Sequence, residues 1–192
     1  MKPLVRKIGA ELVDGGHGYG SSIHWKCLYV RSGDPELLVA HPGLLYSLLS
    51  TQSKSWWWDA GQSNCLYFYE DGIPCPSKAS MLEWLNTERR STSALSIDLC
   101  ESGRFFLTLR APDKSDWVLV DPERFNSSDE LPYEVTRSGG NEPQVLALAT
   151  VPWVQAWDAV VGFFISNGDR HESVNWKPYD EVEARHGEIL IT

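Results

Sequence analysis

The sequence predicts an α+β fold, an antiparallel, twisted sheet (meander) with two or three helices packed on one side. Three strand-like segments, "ALSIDLC", "RFFLTLR" and "DWVLVD", follow one another through links short enough for hairpins. Helical spacing of apolar residues occurs on both sides of these segments. The chain has 192 residues, 42% of them apolar and nine of them tryptophan, so it can bury the core of one compact domain.

The first 70 residues are expected to form an N-terminal extension, of strands and a short helix, packed on the same core. A glycine-rich stretch, "DGGHGYGSS", leads into a strand candidate at 23–30, and "ELLVAH" is the next one. "PGLLYSLLS" predicts a short helix with Pro42 in its first turn, and "CLYFYE" predicts a further strand.

Residues 71–192 are expected to form the α+β domain itself. It begins with a helix in "PSKASMLEWLNTERR", and the meander follows. Residues 122–143 predict a long polar loop, and "QVLALAT" predicts one more strand. "ESVNW" is interpreted as a strand, and the tail after it as a turn of helix with a last edge strand.

A well-formed amphipathic helix is predicted after Val151. Pro152 suits its first turn, and Asn167 and Gly168 suit a left-handed stop at its end. Its apolar stripe, expected to pack on the sheet, consists of Trp153, Trp157, Val160, Val161 and Phe164.

The net charge of −9 lies entirely in the C-terminal half of the chain. Residues 97–192 contain 17 acidic and 8 basic side chains, whereas residues 1–96 contain nine of each. This bias repels phosphate backbones, so direct nucleic-acid binding is disfavoured and a basic protein partner is favoured. No segment is apolar for long enough to be a secretion signal or a membrane span, so we expect a cytoplasmic protein with no membrane partner.

Catalytic and metal-binding motifs are weak. The histidines form no HxxxH or HExxH pair, and the cysteines have no CxxC spacing, so no metal or cofactor is expected. The cysteines are expected to be reduced and mostly buried. A Cys–His pair assembled from distant residues is the alternative, and it would make the protein a small hydrolase or transferase. Substitution of His17, Cys65 or His171 would test it.

Two features are candidates for a protein interface. The first is the acidic segment from Asp113 to Glu134, which has aromatic side chains among its charges and could fill a basic cleft in a partner. Its expected contact residues are Asp113, Asp116, Asp121, Glu123, Phe125, Asp129, Glu130, Tyr133 and Glu134.

The second feature is the triple tryptophan of "SWWWDAG". One face of a helix or strand can bury only part of three adjacent side chains, and an exposed indole is typical of an interface. Trp56, Trp57 and Trp58 are therefore secondary contact candidates. They could instead clamp the N-terminal part onto the core, or form the permanent interface of a non-catalytic adaptor subunit.

The order of elements in residues 75–180 resembles the first-numbered Imm family of bacterial immunity proteins. The order begins with a helix, a three-stranded meander, a polar excursion and a strand. "VP" then opens a second helix, "FFISNG" closes it, and "SVNW" follows. The matching positions are Val151, Pro152, Ala156, Val160, Phe163, Phe164, Gly168, Val174 and Trp176. The resemblance implies a small α+β protein without catalytic residues that binds and neutralises a cognate toxin. Such toxins are often deaminases, nucleases or other enzymes acting on nucleic acid, with basic active-site clefts, and occlusion of that cleft is the expected mechanism.

Overall fold

The structure, a computed structural model, describes residues 27–31, 37–39, 42–52, 54–57, 64–69, 91–127, 131–136 and 142–191. Within them, the strands form two antiparallel sheets, one of eight strands and one of three. The strands are β1 (Cys27–Arg31), β2 (Leu37–Val39), β3 (Asn64–Phe68), β4 (Ser93–Leu99), β5 (Phe105–Arg110), β6 (Asp116–Leu119), β7 (Tyr133–Val135), β8 (Gln144–Leu146), β9 (Thr150–Val151), β10 (Trp176–Pro178) and β11 (Leu190–Ile191). The helices are α1 (Pro42–Thr51), α2 (Lys54–Trp57), α3 (Pro122–Phe125), α4 (Trp153–Ile165) and α5 (Tyr179–His186), with a 3₁₀ turn at Ala147–Ala149. The predicted α+β class is confirmed.

The expected meander of β4, β5 and β6 is confirmed. These strands are consecutive antiparallel neighbours, with Leu95 opposite Leu109 and Thr108 opposite Val118. The strand order of the large sheet is β10-β6-β5-β4-β3-β1-β2, and β9 pairs with the start of β5. Alternate residues of β4 are buried, as the two-residue period of a strand requires when one face is fully covered.

The main core lies between the large sheet and the helices α1, α2 and α4. Tyr46 of α1 meets Trp153 and Trp157 of α4 edge-on, at ring-centroid distances of 5.8 and 5.3 Å. The sheet contributes the buried side chains Leu66, Phe68, Leu95, Ile97, Leu99, Phe105, Leu107, Leu109 and Leu119. The helical layer expected on one side of the sheet is therefore present.

The helix α4 is buried on more faces than its predicted stripe. Every residue from Ala156 to Phe164 is buried, because the sheet and α1 both pack against the helix. The chain after α4 also crosses Gly162, where an added Cβ would lie 2.9 Å from the Cβ of His171. The predicted left-handed stop is confirmed, with φ of +51° at Asn167 and +83° at Gly168.

A second, smaller core covers part of the opposite face of the large sheet. The strands β7, β8 and β11 form the three-stranded sheet, and together with α3 and α5 they enclose Phe106 of β5 and Val118 of β6. At β3 and β4 the same face of the large sheet carries half-buried side chains, including Cys65, Tyr67 and Ser96.

Three local expectations were wrong in this second layer. The described parts of residues 122–143 include α3 and β7, because Asp121 caps the helix and Glu134 pairs with Val145 of β8. "QVLALAT" is not one strand, since a 3₁₀ turn at Ala147–Ala149 carries the chain from β8 in the small sheet to β9 in the large one. The last strand of the large sheet is Trp176–Pro178 rather than "ESVNW". The helix and the edge strand expected in the tail are confirmed, as α5 and β11.

The elements expected in the N-terminal half are partly described. "PGLLYSLLS" forms α1 as predicted, and β1, β2 and β3 extend the large sheet beyond the meander. The glycine-rich stretch, the start of the first predicted strand and the helix expected in "PSKASMLEWLNTERR" lie outside the described residues.

Replacing Gly168 with alanine should strongly lower the free energy of unfolding. Gly168 has a φ of +83°, and an added Cβ would overlap the Ser93 hydroxyl and lie 2.7 Å from the Phe68 Cβ. Gly187 is a matched control, because its φ is +89° and no described atom lies within 4 Å of an added Cβ. We expect a loss of about 1–3 kcal/mol for Gly187→Ala from the backbone alone. Gly168→Ala should lose about 1–3 kcal/mol more through overpacking. Chemical denaturation measures both, and equal losses would contradict the clash.

Candidate functional site

The expected contact residues of the acidic segment fall into distinct environments. Asp113, Asp116 and Glu123 are exposed, and Tyr133 is 36% exposed. Asp121 and Glu134 are largely covered, with side-chain exposures of 13% and 14%. Phe125 is buried, and Asp129 and Glu130 lie outside the described residues.

Asp121 belongs to a polar network centred on Thr150. The Nη2 of Arg104 donates to Asp121 Oδ2 and to the backbone oxygen of Thr150, both at 2.6 Å. The Nε of Arg104 donates to the Oγ1 of Thr150 at 3.0 Å, and Thr150 is fully buried. Asp121 also accepts from the backbone N–H of Glu123 at 3.1 Å, so the same carboxylate caps α3.

Glu134 completes this network from the small sheet. Its Oε1 accepts from Arg124 Nη1 at 3.1 Å and from Thr150 Oγ1 at 3.1 Å, and its other oxygen accepts from the Ser102 hydroxyl. Arg124 also donates to the backbone oxygen of Ala147 at 2.8 Å. We call Arg104, Asp121, Arg124, Glu134 and Thr150 the Thr150 network. The network holds the two sheets together, because Thr150 belongs to the large sheet and Glu134 to the small one. Its two guanidinium groups balance its two carboxylates, so it adds no net charge to the surface.

Phe125 is a core residue rather than a surface aromatic. Its side chain is 5% exposed and packs in the second core, because the single turn of α3 directs it inward. The side chain of Phe125 is therefore not exposed for contact with a partner. Tyr133 differs, since its ring is exposed and its hydroxyl donates to the backbone oxygen of Glu188 at 2.8 Å.

The hairpin between β5 and β6 holds the exposed aspartates in fixed geometry. Asp113 accepts hydrogen bonds from the backbone N–H (2.9 Å) and the hydroxyl of Ser115. These bonds, together with the charge of Arg170, lower the pKa of Asp113. Asp116 accepts from Arg110 through both of its oxygens, at 2.8 and 2.9 Å. Both aspartates are therefore held in place at the surface by hydrogen bonds.

A cleft of about 370 Å³ lies beside this hairpin, and we call it the β6–α5 cleft. Its walls come from β6 and the preceding residue, from the end of β10 and from the first turns of α5. They consist of Ser115, Asp116, Trp117, Pro178, Tyr179, Asp180 and Glu183. The cleft exists because β10 pairs with β6 and delivers α5 to the hairpin, with Pro178 opposite Trp117.

The aromatic walls of the cleft are held in place by neighbouring groups. The guanidinium carbon of Arg170 lies 3.7 Å from the centroid of the Trp117 ring, and Trp117 Nε1 donates to Ser115 Oγ at 2.7 Å. Burial raises the pKa of Tyr179, and the negative charges of Glu183 and Asp116 raise it further. Tyr179 is therefore a neutral phenol in an electronegative setting.

The sequence did not identify the α5 wall of this cleft. Asp180 and Glu183 are more than 60 residues away from Asp116, and they reach it only through the pairing of β10 with β6. The sequence did contain one signal for this wall. In "YDEVE", Asp180 and Glu183 are three residues apart and therefore lie on one face of a helix.

The tryptophan cluster is described in part, and its described side chain is a core residue. Trp57 is 1% exposed, meets Phe105 edge-on at 5.2 Å and donates from Nε1 to the backbone oxygen of Leu48 at 3.2 Å. Trp57 thus clamps α2 onto the sheet. Trp56 belongs to the same short helix, and Trp58 lies outside the described residues. Their role as contact residues stays a prediction.

The groups named for a Cys–His site are not brought together in the described part of the chain. Burial raises the pKa of the Cys65 thiol, whose Sγ lies 3.2 Å from Ser96 Oγ. Cys100 is buried, and its pKa is raised for the same reason. His171 bonds instead to the Ser173 hydroxyl through Nδ1, at 2.7 Å. A thiol that stays protonated is a weak nucleophile, so these environments lend no support to the hydrolase alternative. His17 lies outside the described residues.

The described ranges contain neither a metal centre nor a membrane-spanning helix. No three or more His, Cys, Asp or Glu side chains among those residues are grouped to hold a metal ion. No helix of that part of the chain combines the length and the apolar character needed to cross a membrane. In comparisons with known proteins, no family model, no curated protein and no solved structure matches the chain.

Replacing Thr150 with valine should destabilise the protein although valine keeps the shape of the side chain. The substitution removes the hydroxyl that accepts from Arg104 Nε and donates to Glu134, so each of these charged groups loses one hydrogen bond between the sheets. We expect a loss of about 2–3 kcal/mol in the free energy of unfolding. Thr150→Ser, which keeps the hydroxyl and removes a methyl group, should lose only about 1 kcal/mol. A larger loss for serine in denaturant titrations would show that packing, not the network, dominates at this position.

The stability of the protein should fall as the pH decreases through the range of His186. Its Nε2 is buried without a hydrogen-bond partner among the described residues, and its ring lies 5.2 Å from that of Phe125. Burial and the charge of Arg185 lower the pKa of His186. The unfolded chain, with a histidine pKa of about 6.5, then binds more protons than the folded chain below that pH. The free energy of unfolding should therefore decrease from pH 7.5 to pH 5.5, and less steeply for His186→Gln. Identical slopes for both proteins in urea titrations would contradict this.

Proposed function

We propose that this protein is a non-catalytic, cytoplasmic immunity protein of the Imm type, which binds a cognate bacterial toxin and occludes its active site. The observation that carries the proposal is the set of ordered carboxylates on one surface. The exposed Asp116 lines the β6–α5 cleft with Asp180 and Glu183, and the exposed Asp113 belongs to the same hairpin as Asp116. Such a surface favours a basic protein partner and accelerates its association.

The class of partner comes from the resemblance of residues 75–180 to immunity proteins. Toxins of these systems often act on nucleic acid, and their clefts are basic because they bind phosphate backbones. An ordered acidic surface is complementary to such a cleft. A deaminase, a nuclease or another enzyme that acts on nucleic acid is therefore the partner we propose.

The proposed contact residues divide according to their environment. Asp113, Asp116, Glu123 and Tyr133 present exposed side chains to a partner. Asp121 and Glu134 support that surface from within the Thr150 network, where arginines already neutralise them. Asp129, Glu130, Trp56 and Trp58 remain proposed contacts from the sequence.

Co-expression with the product of the neighbouring gene tests the proposed function. The purified pair should form a stable complex, the toxin activity should be inhibited, and the cells should be protected. If the two proteins do not associate and co-expression gives no protection, the proposal fails.

Neutralising exposed carboxylates should slow the formation of that complex. For Asp113→Asn combined with Glu123→Gln, we expect an association rate constant lower by about threefold to tenfold at low ionic strength, because steering weakens. Lys114→Asn is a control of opposite sign in the same turn, and asparagine suits its φ of +68°. This variant should associate at least as fast as the wild type. Stopped-flow mixing at two salt concentrations measures the rates, and equal rates for all three proteins would exclude this surface as the contact.

A further inference from the structure

We infer that the β6–α5 cleft is an anchor pocket for one lysine or arginine side chain of the protein partner. The inference deepens the proposed function and rests on it for the kind of partner. The cleft is separate from the Thr150 network, and Asp116 is the only residue of its lining that the sequence had marked as a contact. Its remaining walls come from Ser115 and β6, from the end of β10 and from α5.

Two carboxylates of the cleft form no ion pair with any cation of the described residues. Asp180 and Glu183 lie three residues apart on α5, so they share one face of the helix. Among the described residues, no Lys, Arg or His nitrogen lies within 4.0 Å of either carboxylate. Asp180 accepts from the backbone N–H of Glu181 at 2.9 Å, and Glu183 accepts a long bond of 3.4 Å from Ile189. Each carboxylate thus keeps an oxygen and its negative charge for a ligand.

The third carboxylate differs in having its partner within the chain. Asp116 is held by Arg110 through both oxygens, at 2.8 and 2.9 Å. This ion pair fixes the hairpin side of the cleft and takes that carboxylate out of competition for a ligand. A basic side chain entering the cleft is therefore expected to pair with the α5 side, at Asp180 and Glu183.

The aromatic walls suit the same ligand. A cation on an aromatic face is attracted by the ring quadrupole. The Arg170 guanidinium covers one face of Trp117, 3.7 Å from its centroid, so a ligand meets only the part of the ring that lines the cleft. Tyr179 supplies a second ring, close enough to Glu183 and Asp116 for their charges to raise its pKa. Because Trp117 is held by Arg170 and Ser115, the binding of a ligand needs little further ordering of this wall.

The size of the cleft is sufficient for one long side chain, and its charge decides which kind of side chain. At about 370 Å³ it lies at the lower end of the range for small-molecule pockets, roughly 300–1,000 Å³. Its negative charge disfavours phosphate and carboxylate groups. A single long cationic side chain, with apolar methylenes for Pro178 and Tyr179 and a charged end for the carboxylates, matches all of its walls.

The helix dipole explains only part of the acidic charge on α5. Asp180 and Glu181 lie in the first turn, where the positive end of the helix stabilises them. Glu183 lies beyond that turn, and it lines the cleft, whereas Glu181 does not. Glu181→Gln is therefore a matched control for Glu183→Gln, because each removes one negative charge from the same helix.

Titration with blocked tripeptides, followed by the amide chemical shifts of the protein, tests the pocket. Acetyl-Gly-Arg-Gly-amide and its lysine counterpart should give saturable shifts confined to residues 115–117 and 179–183. The citrulline peptide, which is uncharged and nearly the same shape, should not. Glu183→Gln, the cleft variant, should weaken binding by about threefold or more, and its matched control Glu181→Gln should leave it within error. Shifts spread over the whole acidic surface, or equal weakening by both variants, would overturn the inference.

The same variants in the toxin complex separate this inference from the proposed function. If the complex forms and protects cells but the cleft variant and Glu181→Gln dissociate at equal rates, the anchor pocket is wrong and the immunity function stands. If the arginine peptide binds in the cleft but the neighbouring gene product does not associate, the pocket stands and the immunity function fails. Thermal unfolding of each variant shows whether a loss of binding reflects a loss of folded protein.

Discussion

The burial of α4 is the interaction on which the rest of the structure depends. The helix is enclosed from Ala156 to Phe164, with the central strands of the sheet on one side and α1 on another. This contact holds the N-terminal elements and the meander in one hydrophobic core, which is the main favourable contribution to folding. Gly162 and Gly168 permit the close approaches that enclosure requires, since a Cβ at either would meet neighbouring atoms within 3 Å.

The acidic residues of the C-terminal half serve two different purposes. Asp121 and Glu134 pair with Arg104 and Arg124 between the sheets, where the carboxylates satisfy buried donors and fix how the layers meet. The carboxylates of the hairpin and of α5 instead remain at the surface and set its electrostatic potential. A count of acidic residues cannot distinguish these uses, because a carboxylate paired inside the protein and a carboxylate at the surface contribute equally to it.

Only some residues of the candidate site could be predicted from the sequence. Asp113 and Asp116 could be identified because they lie in a run of acidic residues near a hairpin turn. Asp180 and Glu183 could not, since only the pairing of β10 with β6 brings α5 to that hairpin. Phe125 seemed to be a surface aromatic in a polar stretch, yet one turn of α3 places it in the second core. A helix of four residues is too short for its buried face to show as a period in the sequence.

The sequence by itself determined the elements whose signals are local. The two-residue alternation of the meander, the helix at "PGLLYSLLS" and the left-handed stop at Asn167 and Gly168 depend on residues a few positions apart. Only the tertiary structure decided that "QVLALAT" divides between two sheets, that α4 is buried on several faces and that two arginines neutralise two carboxylates around Thr150. These features depend on which distant segments pack together, and that choice is made by the burial and hydrogen bonding of the whole chain, which no local period records.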